Sequence, residues 1–469
     1  DIDLAKAPLK YAGLQPWEIL ISEAQERMSL AVQPECLDAF LELAERRDVE
    51  ATVLGNFTSD GKFTVRYNED IVAFLDVQFM HHGLPTLSLR GKWQPPTYDE
   101  PPITDSDLDL EQELLNMLGR LNICSGEYKA RQYDHEVKGL SVLKPYVGVE
   151  NNVQSDATIS TVEPLGKEGV ILSSGFAPRY SDIDTYHMMA SVIDMAIRRV
   201  IAVGGQLGQI AGLDNFCWPD PVATEKNPDG EYKMAQLVRA NMALYDYTKA
   251  FKVPCISGKD SMKNDSTMGG EKISIPPSVL FSVIARMDDI TRAVTLGAKN
   301  AGDIVYVIGV TKAELGGSEF YSEKGMVGNS VPKVNSQEAL TLYHKVAEAT
   351  DAGLCKSLHT PVFGGLGVSF SKIAVAGGLG LDIDISDVPV EGVLHNFEIL
   401  FAESNSRFVC TVSSENKENF EKIMTGVPFA ETGRVIRNKK LHLRRGDVDI
   451  ADIDLEVVKD RYTKTLDRL

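Results

Sequence analysis

Two stretches of this 469-residue chain are versions of each other, and a chain that repeats itself over so long an interval is confined to folds that use one module twice. Residues 18–32 read EILISEAQERMSLAV and residues 398–412 read EILFAESNSRFVCTV, an ungapped match at an offset of 380. Glu18/Glu398, Ile19/Ile399, Leu20/Leu400, Glu23/Glu403, Arg27/Arg407 and Val32/Val412 are identical. Each stretch sets β-type apolar residues on either side of a polar turn and leads into a helical pattern, Pro34–Arg47 in one and Glu415–Thr425 in the other. Each then reaches a glycine and an alternating strand pattern, from Gly55 and from Gly433. The expected order is strand, helix, strand, strand, twice over. The second copy has residues Thr291–Phe397 of its own piece ahead of it and the first only seventeen residues, so the first is expected to be truncated at its N-terminal side. The chain opens Asp1-Ile2-Asp3 without an initiator Met, which implies a processed or cut N-terminus.

A run of turn-forming residues, Gln94–Asp109 (QPPTYDEPPITDSDLD), reads as a linker that ends in a helix start, with Asp105 or Ser106 as cap ahead of LEQELLNMLGRL. The stretch after it alternates strand and helix patterns: strands at Ala157–Val162 and Val170–Leu172, helices through His187–Val203 and Met234–Phe251, then strands at Val253–Ile256 and Val279–Arg286. Three pieces are expected, 1–95, 105–290 and 291–469. A chain of this length exceeds the roughly 250–300 residues at which one hydrophobic core stops growing.

Three segments carry residues suited to chemistry. In PCISGKDSMKND (Pro254–Asp265) an apolar strand is expected to end at Ser257-Gly258, leaving Lys259, Asp260 and Ser261 in a glycine-permitted turn. There a phosphate can approach backbone amides beside a lysine, although a solvated Lys–Asp turn with no ligand answers to the same residues. The spacing is not that of a Walker A loop. In SEAQERM (Ser22–Met28), Glu23 and Gln25 alternate with apolar neighbours at an expected strand end and can face one polar ligand, unless the segment is simply an exposed charged loop. The apolar helix through Tyr186–Val203 sets Asp194 and Arg198 four residues apart, the spacing of an internal ion pair. Asp156, ahead of a strand, suits either a metal ligand or a capping turn. The eight histidines show no zinc spacing.

A net charge of −19 opposes polyphosphate backbones, which argues against nucleic-acid binding. No apolar run reaches the roughly 20 residues of a membrane span. Six scattered cysteines without a C-x-x-C pair suit a reducing cytoplasm.

The segments SEAQERM, QYDHEV (Gln132–Val137), RRVIAVGG (Arg198–Gly205), SGKDSM (Ser257–Met262) and LGGSEFY (Leu315–Tyr321) run in the order found in phosphoribosylformylglycinamidine synthase, and the chain resembles that family over essentially its whole length. The family belongs to the aminoimidazole ribonucleotide synthetase superfamily. Its fold class is α+β, with tandem A-type domains (a sheet plus helices, barrel-forming by pairing) and B-type domains (a mixed sheet with helices). The resemblance implies that residues 1–95 are the remainder of a first B-type domain, 105–290 a second A-type domain and 291–469 a second B-type domain.

The same resemblance implies an ATP-dependent carbon–nitrogen ligase of purine biosynthesis acting on formylglycinamide ribonucleotide with Mg²⁺. It implies Glu23, Ala24, Gln25 and Ser261 at the substrate, and Gly258, Lys259 and Asp260 at nucleotide or phosphate. The family's auxiliary nucleotide site has metal ligands Asp, Glu, Asn and Asp. The matching positions here are Asp156, Asp194, Arg198 and Phe363, so a degenerate site is expected in which only Asp156 and Asp194 retain carboxylates. The first A-type domain and a glutaminase are missing from the sequence, which implies partners that supply them, and a homodimer through residues 150–290 is one way for the A-type sheet to find a mate. A catalytically silent scaffold half is the alternative.

Overall fold

The structure, a computed structural model, describes residues 1–25, 27–133 and 135–468, and separates the chain into two compact units, Asp1–Ser88 and Leu89–Leu469. Glu26 of SEAQERM and Asp134 of QYDHEV lie outside the described residues.

The first unit is a three-stranded sheet in which Ile2–Asp3 runs parallel to Lys62–Tyr67, itself antiparallel to Asp70–Asp76. Helices Pro16–Leu20 and Leu37–Arg46 accompany it. Its core is small, built on Leu4, Ile19 and Val65. Large apolar side chains stay exposed in consequence, among them Trp17, Met28 and Phe57.

Among the described residues the second unit contains two large sheets and two two-stranded ones. The first has the strand order Cys255–Ser261, Ile210–Cys217, Ser278–Met287, Gly169–Gly175, Thr158–Thr161, Ser141–Leu143, antiparallel except for its first pair. Helix Thr185–Ala202 covers one face, and helix Gly230–Phe251 packs against that helix. Along Ser278–Met287 the buried residues Val279, Phe281, Val283, Ala285 and Met287 alternate with more exposed ones, as a half-covered sheet requires. The second sheet has the order Cys355–His359, Phe408–Val412, Ile304–Ile308, Phe429–Ile436, Gly380–Asp384, Lys440–Arg445, Val448–Asp454. Helices Ser336–Asp351, Gly365–Gly377, Lys417–Met424 and Leu455–Thr463 belong with it. One continuous buried cluster runs through both sheets, so the expected boundary at 290/291 separates sheets without dividing the core.

The two copies agree far beyond the matched fifteen residues. Ile2–Asp3 beside Lys62–Tyr67 corresponds to Gly380–Asp384 beside Lys440–Arg445, parallel in both. Asp3 caps the turn Leu4–Lys6 by accepting from Ala5 N at 3.0 Å, and Asp384 caps Ile385–Asp387 by accepting from Ser386 N at 2.9 Å. Arg66 pairs with Asp1 at 3.2 Å and Arg444 with Asp382 at 3.7 Å. Each hairpin shifts register at one place, between Val65 and Arg66 and between Leu443 and Arg444. Gly55 and Gly433 bring the backbone equally close: an added Cβ would lie 1.9 Å from Asp1 O in one copy and 2.0 Å from Asp382 O in the other.

The structure corrects several sequence expectations. The EIL segments are helical, Pro16–Leu20 and Asn396–Phe401, because each is started by a reciprocal capping arrangement in which Gln15 N donates to Glu18 at 2.7 Å and His395 N to Glu398 at 2.7 Å. Arg27–Val32 forms no strand, although its counterpart Phe408–Val412 does. The compact first unit ends at Ser88, ahead of 95. The expected free linker is a bonded strap within the second unit: Tyr98 N donates to Asn329 at 2.8 Å and Tyr98 OH to Asp182 O at 2.9 Å. Asp109, rather than Asp105 or Ser106, caps helix Leu110–Leu118, by accepting from Gln112 N at 3.1 Å. Asp105 instead accepts from Asn396 N at 2.9 Å and Phe397 N at 3.1 Å, satisfying the open amides of a helix almost three hundred residues away.

Asp105→Ala is therefore expected to lower the unfolding free energy of the second unit by about 1 kcal/mol. A urea titration reads this as a lower midpoint, and an unchanged midpoint would contradict the long-range cap.

Candidate functional site

Of the four positions expected at an auxiliary site, Asp156 and Phe363 line a small polar cavity in the second unit. Asp156 lies between strands Val153–Gln154 and Thr158–Thr161, His359 ends strand Cys355–His359, Arg199 comes from helix Thr185–Ala202, and Lys372 from helix Gly365–Gly377. Phe363, Ser369 and Asn122 also line the cavity. The loop before the Gly365–Gly377 helix turns sharply: Gly364 and Gly365 both hold positive φ, and a Cβ on Gly365 would lie 2.6 Å from Ala402 O.

Asp156 Oδ2 and His359 Nδ1 are 2.8 Å apart, both residues buried. Burial works to raise the Asp156 carboxyl, but His359, Lys372 and Arg199 together hold it below its ordinary value. Burial keeps His359 toward the neutral imidazole and pushes the Lys372 ammonium down to about 8. The cavity measures about 40 Å³. Nucleotide-sized ligands occupy pockets of roughly 300–1,000 Å³.

Asp194 does not join Asp156. One of its oxygens accepts from Tyr343 OH and from Ser406 Oγ at 2.9 Å, and the other from Arg198 and from Ser406 N at 3.2 Å. Arg198 also donates to Asn405 Oδ1 at 2.9 Å and to Pro361 O at 3.1 Å. With both oxygens doubly engaged by protein donors, Asp194 has no coordination position to offer a cation, so its expected role as metal ligand is corrected to that of a buried ion-pair partner. Among the described residues no group of three or more His, Cys, Asp and Glu side chains could hold a metal ion. The residues around Asp156, with two cations and the apolar Phe363, do not fit Mg²⁺.

The SGKDS segment is not a turn. Cys255–Ser261 is an edge strand paired in parallel with Ile210–Cys217, and Gly258 sits where a Cβ would meet the Asp214 carboxylate at 3.1 Å. Lys259 and Ser261 share a face, with Lys259 Nζ donating to Ser261 Oγ at 2.5 Å, while Asp260 alternates to the other. The strand is largely exposed. Glu23, Ala24 and Gln25 are exposed in the first unit and follow its Pro16–Leu20 helix, where the expected strand end does not form. Arg27 donates to Ser22 O, the same internal bond that Arg407 makes to Ala402 O at 2.6 Å.

Arg199 and Lys372 were not singled out from sequence. A usable signal existed for Lys372, the one charged residue in the helix GLGVSFSKIAVAG.

The family model of the AIR synthase related protein C-terminal domain matches residues 1–68 and 300–445. The chain is 30% identical to phosphoribosylformylglycinamidine synthase subunit PurL of Thermococcus sibiricus across 97% of its own length, and 27% identical to that of Methanocaldococcus jannaschii across 97%. The chain is thus similar to PurL subunits along nearly its whole length. It spans 60% of the length of each of these two relatives. Among solved structures, Thermotoga maritima PurL complexed with FGAR superposes with a TM-score of 0.57 at 16% identity, over 75% of this chain and 53% of that one. The same protein complexed with ATP gives 0.54 at 16% identity, over 75% and 52%. These likenesses establish the fold, mixed α/β with several sheets, as the sequence implied.

Calorimetric titration of ADP with Mg²⁺ into the chain is expected to show no tight, metal-dependent binding at the Asp156 cavity. Strong heat that vanishes on chelation of Mg²⁺ would contradict the reading of a closed, metal-free site.

Proposed function

We propose that the chain is the second half of the synthetase core of phosphoribosylformylglycinamidine synthase, a part of the ATP-dependent amidation of formylglycinamide ribonucleotide in purine biosynthesis in the cytoplasm. The observation that carries this reading is the double match of one C-terminal module, at 1–68 and 300–445, in a chain aligned to PurL subunits along 97% of its length. Relatives named as a subunit also support a division of labour with other polypeptides.

In this reading the chain supplies ligand-holding groups. Gln25 and Ala24 lie on an exposed loop free to receive the ribonucleotide, and Glu23 lends a carboxylate to its hydroxyls. On the Cys255–Ser261 strand, Gly258 and Asp260 lie beside a nucleotide, Lys259 places a compact positive charge beside phosphate, and Ser261 can exchange its bond to Lys259 for one to substrate. ATP, when bound in the complete enzyme, supplies the phosphoryl group that activates the amide oxygen, and Mg²⁺ offsets its charge. The first A-type domain supplies the remaining catalytic groups, and a glutaminase domain or subunit delivers ammonia. The exposed face of the six-stranded sheet is the surface through which a homodimer, or the missing A-type partner, would pair.

The alternative, a silent scaffold half, is favoured by one observation: the Asp156 cavity is too small for a nucleotide. Amidation assayed with ammonium as nitrogen donor separates the two readings. The chain alone is expected to be inactive and to gain activity when mixed with a first-half synthetase fragment, and Gln25→Ala in that mixture is expected to lower kcat/KM at least tenfold. Robust turnover by the chain alone contradicts the missing-partner account, and a mixture indifferent to Gln25→Ala favours the scaffold.

A further inference from the structure

The Asp156 cavity has been stripped of metal-binding capacity without becoming apolar, and what remains is cationic. Arg199 Nη1 donates to Ser174 O at 2.7 Å, but its Nε is buried with no hydrogen-bond partner among the described residues. Lys372 lines the same cavity and, among the described residues, makes neither a hydrogen bond nor an ion pair there. Asp156, the one carboxylate in the wall, already holds His359. The wall thus sets two cationic side chains, Arg199 and Lys372, beside a single carboxylate. An uncompensated charge away from bulk water is costly, and the arrangement is stable when an anion supplies the missing acceptors. At about 40 Å³ the cavity has room for a few water-sized atoms, which suits a tetrahedral oxyanion and excludes a nucleoside.

We propose that the cavity walled by Asp156, Arg199, His359 and Lys372 is a metal-independent binding site for a small oxyanion such as inorganic phosphate. The Arg199 guanidinium and the Lys372 ammonium, both lining the cavity, are its donors. The proposal concerns this site alone and does not rest on the ligase reading.

Titration of inorganic phosphate into the intact chain, in the absence of divalent metal and with chloride at matched ionic strength as control, tests it by calorimetry and by the shift of the thermal unfolding midpoint. Phosphate is expected to bind saturably and to raise the midpoint, with chloride doing neither. Lys372→Met is expected to weaken phosphate at least tenfold. Ser369→Leu, which fills the cavity and keeps both cations, is expected to cause a comparable loss. Phosphate acting no differently from chloride, or an affinity indifferent to both substitutions, overturns the site and leaves the cavity to water.

Discussion

The second unit depends on one buried carboxylate. Glu403 accepts from Glu319 N at 3.0 Å, Gly364 N at 2.9 Å and Tyr180 OH at 2.6 Å, and is 2% exposed. Burial pushes its carboxyl up to about 7 against the pull of those three donors. Tyr180 comes from a turn beside the six-stranded sheet, Glu319 opens a short helix, and Gly364 precedes the helix that walls the cavity, so one side chain joins the two sheets' connecting loops. Glu319 extends the network outward, receiving Arg120 Nε at 2.5 Å and Asn122 at 2.7 Å. The cavity-lining residues Asn122 and Phe363 thus stand next to groups that Glu403 and Glu319 hold in place.

The repeat was legible because it is written in polar residues with positional duties. Arg27 and Arg407 are alike because each bonds a carbonyl five residues before it, and Glu18 and Glu398 because each closes a helix start by accepting from the backbone three residues earlier. The same logic, applied to Asp3/Asp384 and Arg66/Arg444, could have extended the match across the whole module. Local conformation was less legible. The EIL segments read as strand because five residues cannot separate a period of 2 from one of 3.6, and the capping glutamates decide the matter. SGKDS read as a turn on the strength of Gly258, yet pairing with Ile210–Cys217 holds it extended, a tertiary effect outside the local pattern.

The site divides in the same way. The Asp194–Arg198 pair was readable from i,i+4 spacing, but Tyr343 and Ser406, which complete the saturation of Asp194, lie 149 and 212 positions away. The geometry shows that the charge of Asp194 is met inside the protein, by the Arg198 guanidinium one helical turn away. That Arg199 and Lys372 stand beside Asp156 emerges only once helices Thr185–Ala202 and Gly365–Gly377 are placed against one cavity.

The central claim is that one module occurs twice, with its conserved-position glutamate sealed into a core in one copy and uncovered in the other, where Glu23 is exposed. Comparing the unfolding free energies of Glu403→Ala and Glu23→Ala in the intact chain tests it directly. The account predicts a loss of about 3 kcal/mol for Glu403→Ala, which strands three buried donors, and a change within about 0.5 kcal/mol for Glu23→Ala. Equal effects at the two positions would contradict it.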